Sequence, residues 1–229
     1  MRNAPLFFLG LFVALTFSWA GTLLLSQHQL GALAPFYDEN EGKSFPDRQA
    51  GVAARGQLVY ADLGCAACHT QAVRRPGFGA DQARGWGDRQ SVARDYIYQA
   101  RVQLGASRIG PDLTNLAGRK PSALDAEDLM KLLYTGQGAM PPYRFLFEER
   151  AIVGERSSKA LPLVGSLAPA PGGQIVPTER AQSLVAYLLS LNTTYDYPEA
   201  RPFTPAPEGK EEPKPAAAPK PAAKEEGKK

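Results

Sequence analysis

The sequence contains very few side chains that can hold a metal ion or form a disulfide. Among its 229 residues are only two cysteines and two histidines. A structural zinc ion held by four thiolates is therefore excluded, and a zinc finger would need every one of these side chains. The same shortage excludes a disulfide framework and leaves too few ligands for a dinuclear copper centre.

A strong charge of either sign is also missing. The formal net charge is +3, from 26 lysines and arginines against 23 aspartates and glutamates. A balance this close gives no reason to expect a nucleic-acid partner or a polybasic membrane patch. The apolar fraction of 44% is typical of a soluble body and not of a protein with many membrane spans.

Charged side chains are absent altogether between Asn3 and Tyr37, and residues 5–25 are almost purely apolar. A helix of that length measures roughly 31 Å, enough to cross the hydrocarbon core of a bilayer. Residues 1–37 are therefore predicted to form a transmembrane anchor and its juxtamembrane segment. The alternative is a cleaved signal peptide, because Ala32-Leu33-Ala34 resembles a cleavage site. The apolar run is longer than the roughly 7–15 residues of a signal peptide's apolar region, which favours the anchor.

The charges beside the anchor predict its orientation. Arg2 precedes the apolar run, and three acidic residues follow it, Asp38, Glu39 and Glu41. Because the basic end of such a helix stays in the cytoplasm, the rest of the chain is expected on the outer side.

Small residues recur at every fourth position of the anchor: Gly10, Ala14, Ser18 and Thr22. This spacing places them on one slowly drifting stripe of a helix. A second transmembrane helix can approach closely along such a stripe, although small residues are also common in membrane helices in general.

The remaining residues divide into a domain and a tail. Residues 204–229 consist mostly of Pro, Ala, Lys and Glu, with no aromatic residue and no aliphatic residue larger than Ala. This composition predicts a disordered tail. Residues 38–203 are predicted to form one mainly α-helical domain with long loops and no evident strand. Its helices are predicted over residues 48–63, 91–101 and 178–191, and from a capping Ser122 with Asp125 three positions on to Gly136.

Both cysteines and one histidine lie within five residues, in Cys65-Ala-Ala-Cys68-His69. This is the attachment motif of c-type haem, in which two thiols form thioethers with the haem vinyl groups and the histidine reaches the iron. The alternatives are a redox dithiol or two buried structural cysteines. A thioredoxin-like dithiol belongs in a βαβ unit, whereas the flanking pattern here is helical. The motif therefore predicts one covalent haem c with His69 as an iron ligand.

The second axial ligand of the iron is predicted to be Met140. It lies between glycines and prolines that keep residues 136–143 out of a helix, so that its thioether can reach the open face of the iron. Met130 is the alternative, but it lies in the apolar run of a predicted helix. His28, at the end of the anchor, is a further and weaker candidate.

Pro111 and Arg108 are two further candidates for the surroundings of the haem, although Pro111 could also be an ordinary loop proline. The carbonyl of Pro111 can accept a hydrogen bond from the ring of His69 and orient it. Arg108 either pairs with a haem propionate or lies at the surface. Gly56 and Tyr60 are expected to pack against the last helix. Other arginines are predicted to be solvated loop charges, with a docking role as the alternative: Arg74, Arg75, Arg84, Arg89 and Arg94.

These motifs resemble those of a class I cytochrome c domain: an amino-terminal helix, CxxCH, a G-P-x-L loop, a methionine loop and a terminal helix. A closer resemblance is to subunit II of cbb(3)-type haem-copper cytochrome c oxidases, the membrane-anchored mono-haem subunit. It depends on the single anchor and on motifs within residues 56–143, namely Gly56-x-x-x-Tyr60, Gly64-Cys-x-x-Cys-His-Thr-Gln71, Arg75-Pro76, Asp95-Tyr-x-Tyr98, Arg108-x-Gly-Pro-Asp-Leu113 and Met140-Pro-x-Tyr143.

The resemblance implies an electron-transfer subunit with no catalytic centre of its own. Its expected cofactor is haem c, with His69 and Met140 as axial ligands. Its expected partners are the haem-copper catalytic subunit, a second cytochrome c subunit or donor cytochrome, and the lipid bilayer. The expected location is the outer face of a bacterial cytoplasmic membrane. Two other functions stay open, a free membrane-tethered electron carrier and the cytochrome c subunit of a nitric oxide reductase.

Overall fold

The computed structural model describes residues 3–49, 51–119 and 123–201. It begins with one long helix, α1, over Ala4–Gly31. This helix is long and apolar enough to span a membrane, and none of its most apolar window is buried against the rest of the protein. A core helix of a soluble protein would be mostly buried, so the exposure of α1 supports the predicted anchor. Arg2 and the predicted tail lie outside the described residues.

Helix α1 contains one π-helical turn, over Ala20–Leu24, in which the backbone N–H of Leu25 donates to the carbonyl of Ala20. Beside it, the hydroxyl of Thr22 donates to the carbonyl of Ser18 at 2.7 Å. A π-turn holds more residues than an α-turn, so it rotates later positions back. In an α-helix every fourth residue lies slightly further round the helix than the one before. The π-turn reduces this displacement and so keeps Thr22 closer to the stripe of small residues.

A short hairpin follows the anchor. Strand β1, Phe36–Asp38, pairs antiparallel with β2, Lys43–Phe45. The ring of Phe45 stacks on Tyr195 at 3.8 Å between centroids, and the hydroxyl of Tyr195 donates to the Asp38 carboxylate at 2.6 Å. The hairpin is thereby packed against the carboxyl-terminal part of the domain.

Two arginines reinforce this joint. Arg94 donates to the carbonyl of Ala34, just beyond the anchor, and pairs with Glu199 at 2.5 Å. The Arg89 side chain is only 9% exposed; it bonds the Asp95 carboxylate at 2.7 Å and the carbonyl of Tyr195 at 2.5 Å. The prediction that these two arginines are solvated loop charges is wrong, because their guanidinium groups hold distant segments together.

The domain is built on helix α2, Gly51–Asp62, helix α3, Ala126–Thr135, and helix α4, Glu179–Ser190. Helices α2 and α4 cross closely at Gly56, where a Cβ atom would lie 1.8 Å from the carbonyl oxygen of Ser183. The rings of Tyr60 and Tyr187 meet edge to face there, with centroids 5.4 Å apart. The predicted packing of Gly56 and Tyr60 against the last helix is confirmed.

Strands β3, Phe147–Ala151, and β4, Gly173–Pro177, form a second antiparallel pair. The sequence pattern predicted no strands, so the description as mainly α-helical is right only in part. The domain combines helices with two small sheets and several single 3₁₀ turns, over Cys65–Ala67, Ala93–Tyr96, Arg144–Leu146, Gly165–Leu167 and Pro198–Ala200.

Two helix predictions need correction. The helix predicted over residues 91–101 is only the turn Ala93–Tyr96. The capping residue predicted for α3, Ser122, lies outside the described residues, and the helix begins later. Asp125 is its N-cap, since its carboxylate accepts a hydrogen bond from the backbone N–H of Asp128 at 2.8 Å.

Candidate cofactor site

The two cysteines and the histidine lie where α2 gives way to a tight turn. Gly64, with φ of 70°, ends the helical path in a left-handed conformation, and the 3₁₀ turn Cys65–Ala67 follows. The backbone N–H of His69 donates to the carbonyl of Cys65 at 3.0 Å. This turn presents Cys65, Cys68 and His69 to one cavity of about 270 Å³.

The ring of His69 is held by the segment around Gly110. Its Nδ1 donates to the carbonyl of Pro111 at 2.8 Å, since a carbonyl can only accept. Gly110 lies flat against the imidazole, and a Cβ atom there would be 2.3 Å from Cε1 of His69. Backbone bonds join the two segments on either side, from Gly110 to the carbonyl of Cys68 at 2.9 Å and from Leu113 to that of Thr70 at 2.7 Å.

Met140 lies on the wall of the same cavity. Helix α3 ends at Thr135, and Gly136, with φ of 71°, turns the chain. Gln137 and Met140 then exchange two backbone hydrogen bonds of 3.1 and 2.9 Å. These bonds fix the loop that carries the thioether. Met130 instead borders a separate groove beside Lys159 and Pro177, and His28 belongs to α1.

The rest of the cavity wall is mainly aliphatic, with leucines from α3, α4 and the segment after Pro111: Leu116, Leu129, Leu132, Leu133 and Leu188. An apolar cavity with two thiols and an imidazole suits a flat apolar ring system with a metal at its centre. A chelated ion is a poorer fit. Within the described residues, no three His, Cys, Asp or Glu side chains come together as a metal-ion site requires.

The thiol of Cys65 has the opposite character from a reactive redox cysteine. Burial raises its pKa to about 11. Cysteines that exchange disulfides have lowered pKa values, because they must be thiolates to react. The environment of Cys65 therefore disfavours the redox-dithiol alternative.

Arg108 does not border the cavity. Its Nη1 donates to the buried carboxylate of Asp81 at 2.5 Å, and its Nη2 donates to the carbonyl of Ala72 at 2.6 Å. Asp81 is fully buried and also binds Arg74, so that pairing with the two guanidinium groups holds the pKa of its carboxyl far below its usual range despite the burial. The structure thus uses Arg108 to fasten the loop after His69 to the segment before Pro111.

The cavity instead has Arg119 on its wall, a residue that the sequence reasoning missed. Its Nη2 donates to the carbonyl of Asp112, while its Nε is buried without a hydrogen-bond partner. Buried donors are normally satisfied, so this N–H is available to an acceptor on a bound group. The sequence offered one signal for this residue, because Arg119 is the first charged side chain after the uncharged segment 113–118.

Comparison with known families gives a match that includes much of the cavity lining. The family model described as Cytochrome C oxidase, mono-heme subunit/FixO matches residues 47–166, just over half of the chain. The chain belongs to this family. Among curated proteins no relative matches it.

Membership of the FixO family makes the chain a mono-haem subunit of a cytochrome c oxidase and implies a haem and partner subunits. The matched residues include Cys65, His69, Met140 and Arg119, all of which line the cavity. The resemblance to the mono-haem oxidase subunit, drawn from the motifs, is confirmed.

Proposed function

We propose that this FixO subunit relays single electrons from a donor cytochrome to the catalytic haem-copper subunit of a cbb(3)-type oxidase. The observation that carries the proposal is the single cavity that two thiols, an imidazole and a methionine thioether all line. Histidine and methionine together would hold a haem iron in a form that suits electron transfer and not oxygen activation.

Cys65 and Cys68 would attach the haem by two thioethers, making it a haem c. Their positions on one tight turn bring both thiols to one edge of the cavity. His69 follows at once and lies against Gly110, where the Pro111 carbonyl fixes which ring nitrogen carries the proton. Nε2 is thereby left free to act as the iron ligand.

Met140 would supply the second axial ligand. Its loop is held by the paired backbone bonds to Gln137 and by the bond from Tyr143 N–H to the carbonyl of Leu133 at 2.7 Å. Arg119 would bind a haem propionate through its unpartnered Nε, the role first considered for Arg108. The aliphatic wall would exclude water from the ring and raise its reduction potential.

The location follows from the anchor. Helix α1 would cross the bacterial cytoplasmic membrane once, with Arg2 inside and the haem domain outside. The stripe of small residues would pack against a helix of a partner subunit. Because the family is one of oxidase subunits, a complex is favoured over a free tethered carrier and over a nitric oxide reductase subunit.

The proposal is tested on the full-length protein purified with its haem. Acid acetone should extract no haem, because thioethers survive it. Met140→Ala should abolish the weak far-red absorption band of ferric methionine ligation and lower the midpoint potential.

Met130→Ala is the matched control, since it removes an equal side chain outside the cavity and should keep the band. Extraction of the haem would refute the covalent attachment. Retention of the band in Met140→Ala and its loss in Met130→Ala would refute the ligand assignment.

A further inference from the structure

Asp112 is a buried charged residue to which neither the motifs nor the proposed function assigns a role. Its side chain is fully buried, and both carboxylate oxygens act as acceptors. Oδ2 accepts from the Thr70 hydroxyl at 2.6 Å and from the Ala72 N–H at 2.8 Å. Oδ1 accepts from the Thr114 N–H at 2.9 Å.

These partners lie on both sides of the His69 hydrogen bond. Thr70 directly follows His69, and Ala72 comes two residues later. Asp112 itself directly follows Pro111, whose carbonyl accepts the bond from the His69 ring. The carboxylate therefore connects the segment that carries the donor to the segment that carries the acceptor.

Only a carboxylate satisfies all of these donors. An asparagine has one oxygen and one NH₂ group. If the asparagine oxygen accepted from the Ala72 N–H, its NH₂ group would face the Thr114 N–H. In the opposite orientation, the NH₂ group would face the Ala72 N–H. One buried backbone N–H would then lose its acceptor, which is costly in a protein interior.

The burial of this charge is offset by Arg108, while a second arginine binds the main chain of the same residue. Nη2 of Arg108 lies 3.7 Å from Oδ2 of Asp112, and Arg108 is itself held by Asp81. Arg119 donates to the main-chain carbonyl of Asp112. Pairing of this kind is what allows a charged side chain to remain in a buried site.

We propose that Asp112 is a positioning residue for His69: it sets the length and direction of the His69 Nδ1–Pro111 hydrogen bond. This inference depends on the proposed function, in which His69 is an iron ligand. A strong hydrogen bond at Nδ1 makes an imidazole a more basic ligand, and more basic ligands favour the ferric state. Asp112 therefore keeps the midpoint potential lower than the apolar cavity alone would set it.

The chain allows a direct measurement, because it has only two histidines. In full-length haem-bearing protein labelled with ¹⁵N-histidine, exchange of the His69 Nδ1 proton with solvent is followed by NMR, with His28 as an internal reference. In Asp112→Asn the exchange should accelerate by about tenfold, the factor expected when one hydrogen bond of ordinary net strength is weakened. The midpoint potential should rise.

The matched control is Asp95→Asn. Asp95 is also buried, pairs with an arginine, and accepts a backbone N–H, from Val92 at 2.9 Å, but in the hairpin joint. It should lose stability without changing His69 exchange. Thr70→Val keeps the Asp112 charge and removes one bond to it, and should accelerate the exchange by a smaller factor. This second variant decides the matter if Asp112→Asn does not fold.

Haem-bearing wild type with unchanged His69 exchange in Asp112→Asn or Thr70→Val would overturn the inference alone. An equal acceleration in Asp95→Asn would also overturn it, because the effect would then be general loosening. Wild-type protein without covalent haem would overturn the proposed function and this inference together.

Discussion

The contact between Gly110 and the imidazole of His69 makes Gly110→Ala a sensitive test of the site. The added Cβ atom would lie 2.3 Å from Cε1, 2.6 Å from Nδ1 and 2.9 Å from Nε2 of His69. Ordinary carbon contacts are about 3.5 Å, so the ring or the segment that carries it must move by about 1 Å. The backbone bond from Gly110 to the carbonyl of Cys68 resists movement of the segment, so we expect the ring to move.

The expected cost is that of overpacking, about 1–3 kcal/mol in the free energy of unfolding. The displaced ring should also lose the 2.8 Å bond to Pro111. Urea denaturation measures the free energy of unfolding, and the ferric absorption spectrum and midpoint potential test the proposed iron ligands.

Gly51→Ala is the control, since nothing lies within 4 Å of a Cβ atom there. It should keep or raise stability, because alanine is the better helix former. A Gly110→Ala protein with wild-type stability and spectrum would refute the reasoning.

Three further predictions concern the packing of the domain and the anchor. Gly56→Ala should destabilise the protein by about 1–3 kcal/mol, because its Cβ would lie 1.8 Å from the Ser183 carbonyl oxygen and force α2 and α4 apart. Burial raises the pKa of Tyr187 from 10.0 to about 12, so the free energy of unfolding should fall as the pH rises through that interval. Tyr187→Phe should reduce this slope by up to about 1.4 kcal/mol per pH unit. Gly10→Ile combined with Ala14→Ile should abolish co-purification with the oxidase in mild detergent and leave the haem spectrum unchanged.

Each of these has a clear contrary result. Wild-type stability of Gly56→Ala in urea would contradict the close helix crossing. For Tyr187, the sign follows because the folded state keeps a proton that the unfolded state releases above pH 10, and an unchanged slope in Tyr187→Phe would contradict it. If the variant Gly10→Ile with Ala14→Ile still co-purified with the oxidase, the small residues would not form a packing stripe. Leu9→Ile with Val13→Ile is the matched control.

The sequence predicted the elements whose signals are local. Helix α4 was expected over residues 178–191 and observed over Glu179–Ser190, because Thr178 caps it and its apolar face repeats regularly. Strands β3 and β4 were missed for a physical reason. In β3 one buried residue, Phe147, precedes four exposed ones, so no alternation of apolar and polar residues marks the strand.

The partners of charged residues were the least predictable part of the site. Arg108 was assigned to the haem or the surface, but its partner Asp81 lies 27 positions away in the sequence, and only the fold brings the two together. Arg119 was missed for the same reason. The meeting of Cys65, Cys68 and His69 at one cavity was easier to predict, because the three lie within five residues of the sequence.

The hairpin joint restricts where the haem domain can go. Only residues 32–35 separate the last residue of α1, Gly31, from β1, and four extended residues reach at most about 14 Å. The linker is restricted further, because Arg94 donates a hydrogen bond to the carbonyl of Ala34 and Tyr195 binds Asp38 of the hairpin. The short linker and these contacts therefore restrict movement of the domain relative to α1. The distance between the domain and any subunit bound along α1 is therefore set once, when the complex assembles.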